Sequence, residues 1–274
     1  MSIEVTRAGG AIGAEIRGVD LARDLAEQTV AAIRQALLDH LVVFFRGQNL
    51  TPAQYLAFSA RIGTPMRYPF VPGIEGFSEI TPVLKRPDQT INFGGVWHSD
   101  TTYLPEPPMA TLLLARELPA FGGDTEFANQ YLAYETLSDG MKSVLSGLRG
   151  VSRSDKAEAS RTREDRAKKS GTGGEVLVAE HPAVRTHPET GRKALYVNIA
   201  HTAHFAGMTE EESLPLLRFL WTLQTRLEFT CRFSWTTGAL ALWDNRCAQH
   251  QAINDYQGQQ RLMHRITLAG DVPR

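Results

Sequence analysis

Short runs of large apolar residues, each bounded by glycine, proline or polar turns, recur from one end of this chain to the other. Leu41-Val42-Val43-Phe44-Phe45, Met109 to Ala115 and Ala239 to Trp243 are the clearest, and Arg261 to Ala269 is a further strand-like stretch in which apolar and polar residues mix. Runs of this length between turn signals read as buried strands. Because they are dispersed, the fold must pair segments far apart in sequence, and the helical stretches between them must pack outside. A β-rich core with flanking helices is expected, and composition alone does not separate a barrel from a sandwich.

The intervening sequence fits that plan. Residues 3–19 alternate apolar and polar around Gly9-Gly10, which predicts an opening hairpin. Residues 28–40 carry a helical spacing, and Thr51-Pro52-Ala53-Gln54 is a capping box with proline at the first helical position. Residues 64–96 are rich in proline and glycine and predict loops and short strands, Phe121 to Thr125 a tight turn, and residues 129–148 a helix. Residues 176–199 return to strand character, broken at Pro188-Glu189-Thr190-Gly191. Thr209-Glu210-Glu211-Glu212 opens a second capped helix that runs to about Gln224, and Glu228 to Trp235 predicts a strand. Residues 152–174 are charged and poor in large apolar side chains, the pattern of a solvated loop or a mobile lid.

With 274 residues, 42% of them apolar, the chain suits one large domain, 1–274. A net charge of -1 gives no attraction to nucleic acid or membrane. No run of about 18 apolar residues is present, so no transmembrane helix is expected. The first residues lack the pattern of a signal peptide, and Cys231 and Cys247 have no metal-type spacing. Both read as buried free thiols in a reduced, cytoplasmic location.

Trp97-His98-Ser99-Asp100 is the main chemical candidate. His98 and Asp100 are two apart, so in an extended segment their side chains leave on one side and can share a metal ion. A second histidine would complete the two-His, one-carboxylate set of non-haem Fe(II) oxygenases. His250 stands just beyond the run Ala239 to Trp243, where a side chain can point into a barrel mouth. Read singly, the first pair also fits a solvated turn and His250 a structural histidine. Arg261 and Arg265 are four apart in a predicted strand, which puts both on one face, with Leu262, His264, Ile266 and Leu268 on the other. Arginines turned inward are costly unless anions meet them, and their forked donors suit carboxylates.

Five ordered motifs carry a resemblance. They are Trp97 to Asp100, Gly122-Gly123-Asp124-Thr125, His181-Pro182 through Asn198, Trp243-Asp244-Asn245-Arg246 with His250, and Arg261 to Arg265. Together, from about residue 4 to the C-terminus, they resemble the TauD/TfdA family of Fe(II)/2-oxoglutarate-dependent dioxygenases, such as taurine dioxygenase and dichlorophenoxyacetate dioxygenase. The resemblance implies a double-stranded β-helix (a cupin-like jelly roll) with flanking helices. It implies His98, Asp100 and His250 as iron ligands and catalytic centre. Arg261 and Thr125 would hold the distal carboxylate of 2-oxoglutarate, and Arg265 the anionic head of the substrate. Tyr68 stands where the taurine enzyme has a histidine, and His201 where it has a pocket aromatic. His181, His187 and His264 would be structural.

The implied reaction consumes O2 and 2-oxoglutarate, releases succinate and CO2, and hydroxylates a small organic anion. Where the hydroxylated carbon bears a heteroatom, the product collapses to a carbonyl compound. Asn92-Phe93-Gly94-Gly95-Val96 is less polar than a taurine amine would need. The expected substrate is therefore a larger or more hydrophobic sulfonate, sulfate ester, or aryloxy or other carboxylate. Family members are commonly homo-oligomers, dimers or tetramers, and nothing in this chain selects between them. Two other readings use the same residues: a non-catalytic jelly-roll protein that binds a metal or small anion, and a zinc hydrolase. Neither gives Arg261 and Thr125 a task.

Overall fold

The apolar runs become strands covered on both faces. The computed structural model describes residues 3–158 and 176–274. Its first half runs β1 (Glu4–Arg7), β2 (Ala14–Arg17), α1 (Glu27–His40), β3 (Val42–Phe45), α2 (Pro52–Ile62), β4 (Pro65–Met66), β5 (Thr81–Lys85), β6 (Ala110–Glu117), β7 (Thr125–Asn129), α3 (Gln130–Glu135), α4 (Asp139–Ser146) and β8 (Arg149–Arg153). The second half runs β9 (Val178–Pro182), β10 (Val184–Thr186), β11 (Lys193–Leu195), β12 (Thr202–Phe205), α5 (Glu210–Gln224), β13 (Thr230–Phe233), β14 (Leu240–Asp244), β15 (Ala248–Ala252) and β16 (Arg261–Leu268).

The larger sheet has the order β1-β2-β3-β14-β6-β16-β4, with β5 also paired to β16. The smaller sheet, β13-β7-β15, lies against it. Side-chain alternation decides the layers. Val43, Phe45, Leu112, Leu114, Leu240, Leu242, Ile266 and Leu268 face the helices α1 and α2, where they meet Ile33, Leu37, Tyr55 and Phe58. Their neighbours Val42, Phe44, Leu113, Ala115, Ala241, Trp243 and Met263 face the smaller sheet and meet Phe127, Phe233 and Ala248. A strand apolar at every position is what two buried faces require. A third layer joins β12-β8-β9 and the hairpin β10-β11 to α3, α4 and α5.

The opening hairpin and both capping boxes form where the sequence places them. The helix expected over 129–148 is two helices, because Ser138 Oγ accepts from Met141 N and starts α4 afresh. The strand expected from Glu228 begins with a 3-10 turn, Leu227–Phe229. Of the segment 152–174, Ser152 and Arg153 finish β8 and residues 154–158 run to the cavity described below; residues 159–174 lie outside the described residues. Cys247 is buried as expected, whereas Cys231 is partly exposed. Among the described residues no helix is long and apolar enough to cross a membrane.

Candidate active site

Two backbone hydrogen bonds bring distant parts of the chain to one point. His98 N donates to His250 O (3.0 Å) and His250 N donates to His98 O (2.9 Å). Residues opposed in this way project side chains to one side of the pair, and the two imidazole centroids lie 4.2 Å apart. His250 is thus on a strand of its own, β15, and not beyond the end of a core strand as its sequence suggests. Gln249, His250 and Gln251 carry no apolar alternation that would reveal the strand. The chain turns sharply after His98, with Thr101 at φ 45°, and Asp100 Oδ1 comes within 3.6 Å of His98 Nε2. His98, Asp100 and His250 are buried, and their ligand atoms lie within 4.8 Å of one another.

Each of the three is oriented by its surroundings. His98 Nδ1 lies 2.6 Å from the Val96 carbonyl and donates to it, so Nε2 keeps its lone pair for a metal. Asp100 Oδ2 accepts from Thr111 Oγ1 (2.6 Å), which accepts from Asn245 Nδ2 (2.9 Å). Asn245 Oδ1 in turn accepts from Trp243 Nε1 (2.9 Å). Burial alone would raise the Asp100 carboxyl, but His98, His250 and Arg265 outweigh it and hold it well below the usual carboxylate range. Burial, helped by His98, pulls His250 down to about 3, so its imidazole is neutral near pH 7. A neutral His250 imidazole and an ionised Asp100 carboxylate are the protonation states that metal binding needs.

A second cluster, His187, Asp244 and Cys247, is also close and buried. Its carboxylate is already taken: Asp244 accepts from Arg246 Nε and Nη2 (2.9 and 2.6 Å) and from His187 Nε2 (3.0 Å). It reads as a structural knot. His181 is structural too, with Nε2 against the Thr102 and Leu104 carbonyls (2.8 and 3.0 Å). His264 points to the far side of β16, where Nδ1 accepts from Arg116 Nε (3.3 Å).

Alternation along β16 sends Arg261, Met263 and Arg265 inward together. Arg261 lies beside a small cavity of about 30 Å³ that it shares with Thr125, His98 and His250. It is 4% exposed, and among the described residues its Nε and Nη2 have no hydrogen-bond partner. A buried guanidinium with unused donors is a strong call for an anion. Gly123, at φ +73°, lets the backbone approach, since a Cβ there would stand 3.1 Å from Arg261 Cδ. Thr125 Oγ1 accepts from Trp235 Nε1 (3.0 Å), which leaves its hydroxyl proton to donate.

Arg265 faces a larger cavity of about 440 Å³, walled by Ile91, Phe93, Val96, Tyr103 and Ala200 among others. Nη1 lies 3.6 Å from Asp100 Oδ1, and among the described residues the buried Nη2 has no hydrogen-bond partner. Its guanidinium carbon stacks 4.2 Å over the Tyr68 ring. Tyr68 is thereby both a cavity wall and a brace for Arg265. His201 lines the same cavity and packs edge-on to Tyr103, centroids 5.0 Å apart. All eight residues singled out from the sequence therefore meet around two adjoining cavities. Thr111 and Asn245, which orient the Asp100 carboxylate, are site residues the sequence reading missed. A lone hydroxyl inside the apolar run Met109 to Ala115 is the signal that could have found Thr111.

The donor set fits a metal ion held by two histidines and a carboxylate, and Arg261 with Thr125 fits a carboxylate beside it. A family model for the taurine catabolism dioxygenase TauD, TfdA family matches residues 4–267. The chain belongs to the TauD/TfdA dioxygenase family. Among its relatives in this family is an alpha-ketoglutarate-dependent sulfate ester dioxygenase of Pseudomonas putida, 37% identical over 100% of this chain and 91% of the relative. Another is an alkylsulfatase of Acinetobacter baylyi, 35% identical over 98% and 86%. A taurine dioxygenase from Burkholderia xenovorans has a similar crystal structure, with a TM-score of 0.85, 41% identity, and coverage of 100% and 93%. The TauD/TfdA fold is the double-stranded β-helix that the two packed sheets form here.

Proposed function

We propose that this protein is an Fe(II)- and 2-oxoglutarate-dependent dioxygenase that hydroxylates a small organic anion bearing a sulfonate, sulfate ester or carboxylate head. Two buried arginines on one strand, each with unused donors among the described residues, carry this reading: Arg261 lines the smaller cavity, and Arg265 lines the larger one and the wall between them, both beside the same three ligands. A non-catalytic binder or a hydrolase would need only one of them. Fe(II) with bound 2-oxoglutarate supplies oxygen activation and removal of a substrate hydrogen. His98, Asp100 and His250 hold the metal. Arg261 and Thr125 take the distal carboxylate of 2-oxoglutarate through charge-assisted hydrogen bonds. Arg265, braced by Tyr68, takes the substrate head, and the apolar wall with His201 takes its body. Thr111 and Asn245 hold the Asp100 carboxylate in one orientation. Water exclusion follows from burial of all these groups.

Residues 1–274 form one catalytic domain on this reading, and the protein works in the cytoplasm. The direct experiment is succinate formation by purified protein with Fe(II), ascorbate and 2-oxoglutarate, against a panel of sulfonates, sulfate esters and aryloxyalkanoates. Stimulation by a panel member is expected. His250→Ala should abolish metal-dependent succinate release, and full retention would remove the triad.

A further inference from the structure

Residues 253–260 connect β15, the strand of His250, to β16, which opens with Arg261. On the way they grip the turn that leads into Thr125. Ile253 N donates to Asp124 O (2.9 Å), Gly123 N donates to Asp255 Oδ1 (2.7 Å), and Ala120 N donates to Gln259 Oε1 (2.7 Å). The connection is itself held from β5. Lys85, buried and opposite Arg261 in the register of β5 with β16, donates to Tyr256 O (3.4 Å). Its ammonium also stands 4.3 Å over the Tyr256 ring.

The gripped turn needs a hold from outside. Gly122 and Gly123 both have a φ of +73°, and adjacent glycines have no side chains to fix their place. Asp255 packs on Gly122, where a Cβ would collide with its carboxylate. Arg261 packs on Gly123, where a Cβ would stand 3.1 Å from Arg261 Cδ and 3.3 Å from Nε. The turn therefore sits between a carboxylate that it binds and a guanidinium stem that it backs. Drawing the Gly123 N–H onto Asp255 sets how closely the turn supports Arg261.

Asp255 lines neither cavity beside the metal ligands. Its second oxygen faces Arg232 Nη2 at 3.6 Å. It therefore leaves the buried donors of Arg261 to an incoming anion. We propose that Asp255 is a positioning residue for 2-oxoglutarate: it touches no co-substrate, and acts through the Gly123 backbone on Arg261. The inference rests on the reading of Arg261 as the arginine that takes the distal carboxylate. A guanidinium backed by a fixed turn presents its fork in one orientation, and a carboxylate then loses less in ordering it.

The test measures binding apart from turnover. Calorimetric titration of 2-oxoglutarate into protein loaded with Mn(II), without oxygen, gives Kd for wild-type protein, Asp255→Ala, Asp255→Asn, Arg261→Ala and the variant carrying both alanines. Asp255→Ala takes the acceptor from Gly123 N and should raise Kd about tenfold. Asparagine still offers Oδ1 to Gly123 N, so Asp255→Asn should stay within about threefold of wild type. In the Arg261→Ala background Asp255→Ala should change Kd by less than about threefold, since a residue that acts through Arg261 has little left to position. Mn(II) affinity should stay within about twofold of wild type in Asp255→Ala, which a general loosening around His250 would not allow. An unchanged Kd in Asp255→Ala, an equal loss in both Arg261 backgrounds, or no rescue by asparagine overturns the proposal. If Arg261→Ala itself binds 2-oxoglutarate as wild-type protein does, the co-substrate reading fails, and this inference with it.

Discussion

Arg261 and Arg265 are one residue type set in two different surroundings by position on a strand. Arg261 shares its cavity with Thr125, and Arg265 stacks on Tyr68 beside Asp100. Hydrogen bonds to charged groups contribute about 1.5–3 kcal/mol each, so losing one should cost roughly 10- to 100-fold in apparent affinity. Arg261→Ala should raise KM for 2-oxoglutarate by that factor and move substrate KM far less. Arg265→Ala should do the reverse. Steady-state kinetics with each co-substrate varied in turn decides the matter, and two variants that both lose only 2-oxoglutarate affinity would break the division. The placement of Tyr68 and His201 on the cavity wall was legible only in outline. Sequence position put them near the pocket, but the stacking of Tyr68 under a guanidinium needs a tertiary contact that no local pattern encodes.

Strand alternation made much of the fold readable. The runs at β3, β6 and β14 were largely apolar at successive positions because helices cover one face and the smaller sheet the other, whereas β16 interrupts its apolar side chains with the two inward arginines. Helix starts were readable wherever a side chain satisfies the first backbone N–H groups, as at Thr51 and Thr209. β15 escaped because its cross-strand partners, β7 and the His98 segment, supply its hydrogen bonds while its own residues are polar. The break between α3 and α4 escaped because Ser138 sits within an otherwise continuous helical pattern. The same strand logic makes a prediction about Thr111 on β6. Thr111→Val keeps the shape and favours the strand, yet removes the donor to Asp100 Oδ2. Metal affinity should fall about 10- to 100-fold, and Tm should also fall by several degrees, because buried Asn245 Nδ2 and Asp100 Oδ2 both lose their partner. A metal titration with Mn(II) measures this, and unchanged affinity would show that Asp100 needs no such partner.

Buried charge ties the stability of the whole molecule to what it binds. Arg261 lies in the interior with unused donors, and a dicarboxylate on it stabilises only the folded state. Saturation at about one hundred times Kd adds about 2.7 kcal/mol, which should raise Tm by several degrees in thermal melts and do so far less in Arg261→Ala. Acid should act in the opposite direction through Asp244. Burial would raise this carboxyl, but hydrogen bonds from Arg246 and His187 prevail and hold it well below its usual value. Its contribution is complete above the unfolded carboxylate value of about 3.9 and drains away as pH falls through the lower folded value. Denaturant midpoints should therefore fall steeply below about pH 4, and a flat acid limb would contradict the knot. The two cavities share Phe93, Gly94, His98 and Arg265 as a common wall. An occupant of the larger one therefore abuts the smaller across that wall. On the proposed roles the two co-substrates should bind in sequence, 2-oxoglutarate before the organic anion, and initial rates measured over a range of organic-anion concentration should pass through a maximum if the anion then detains succinate.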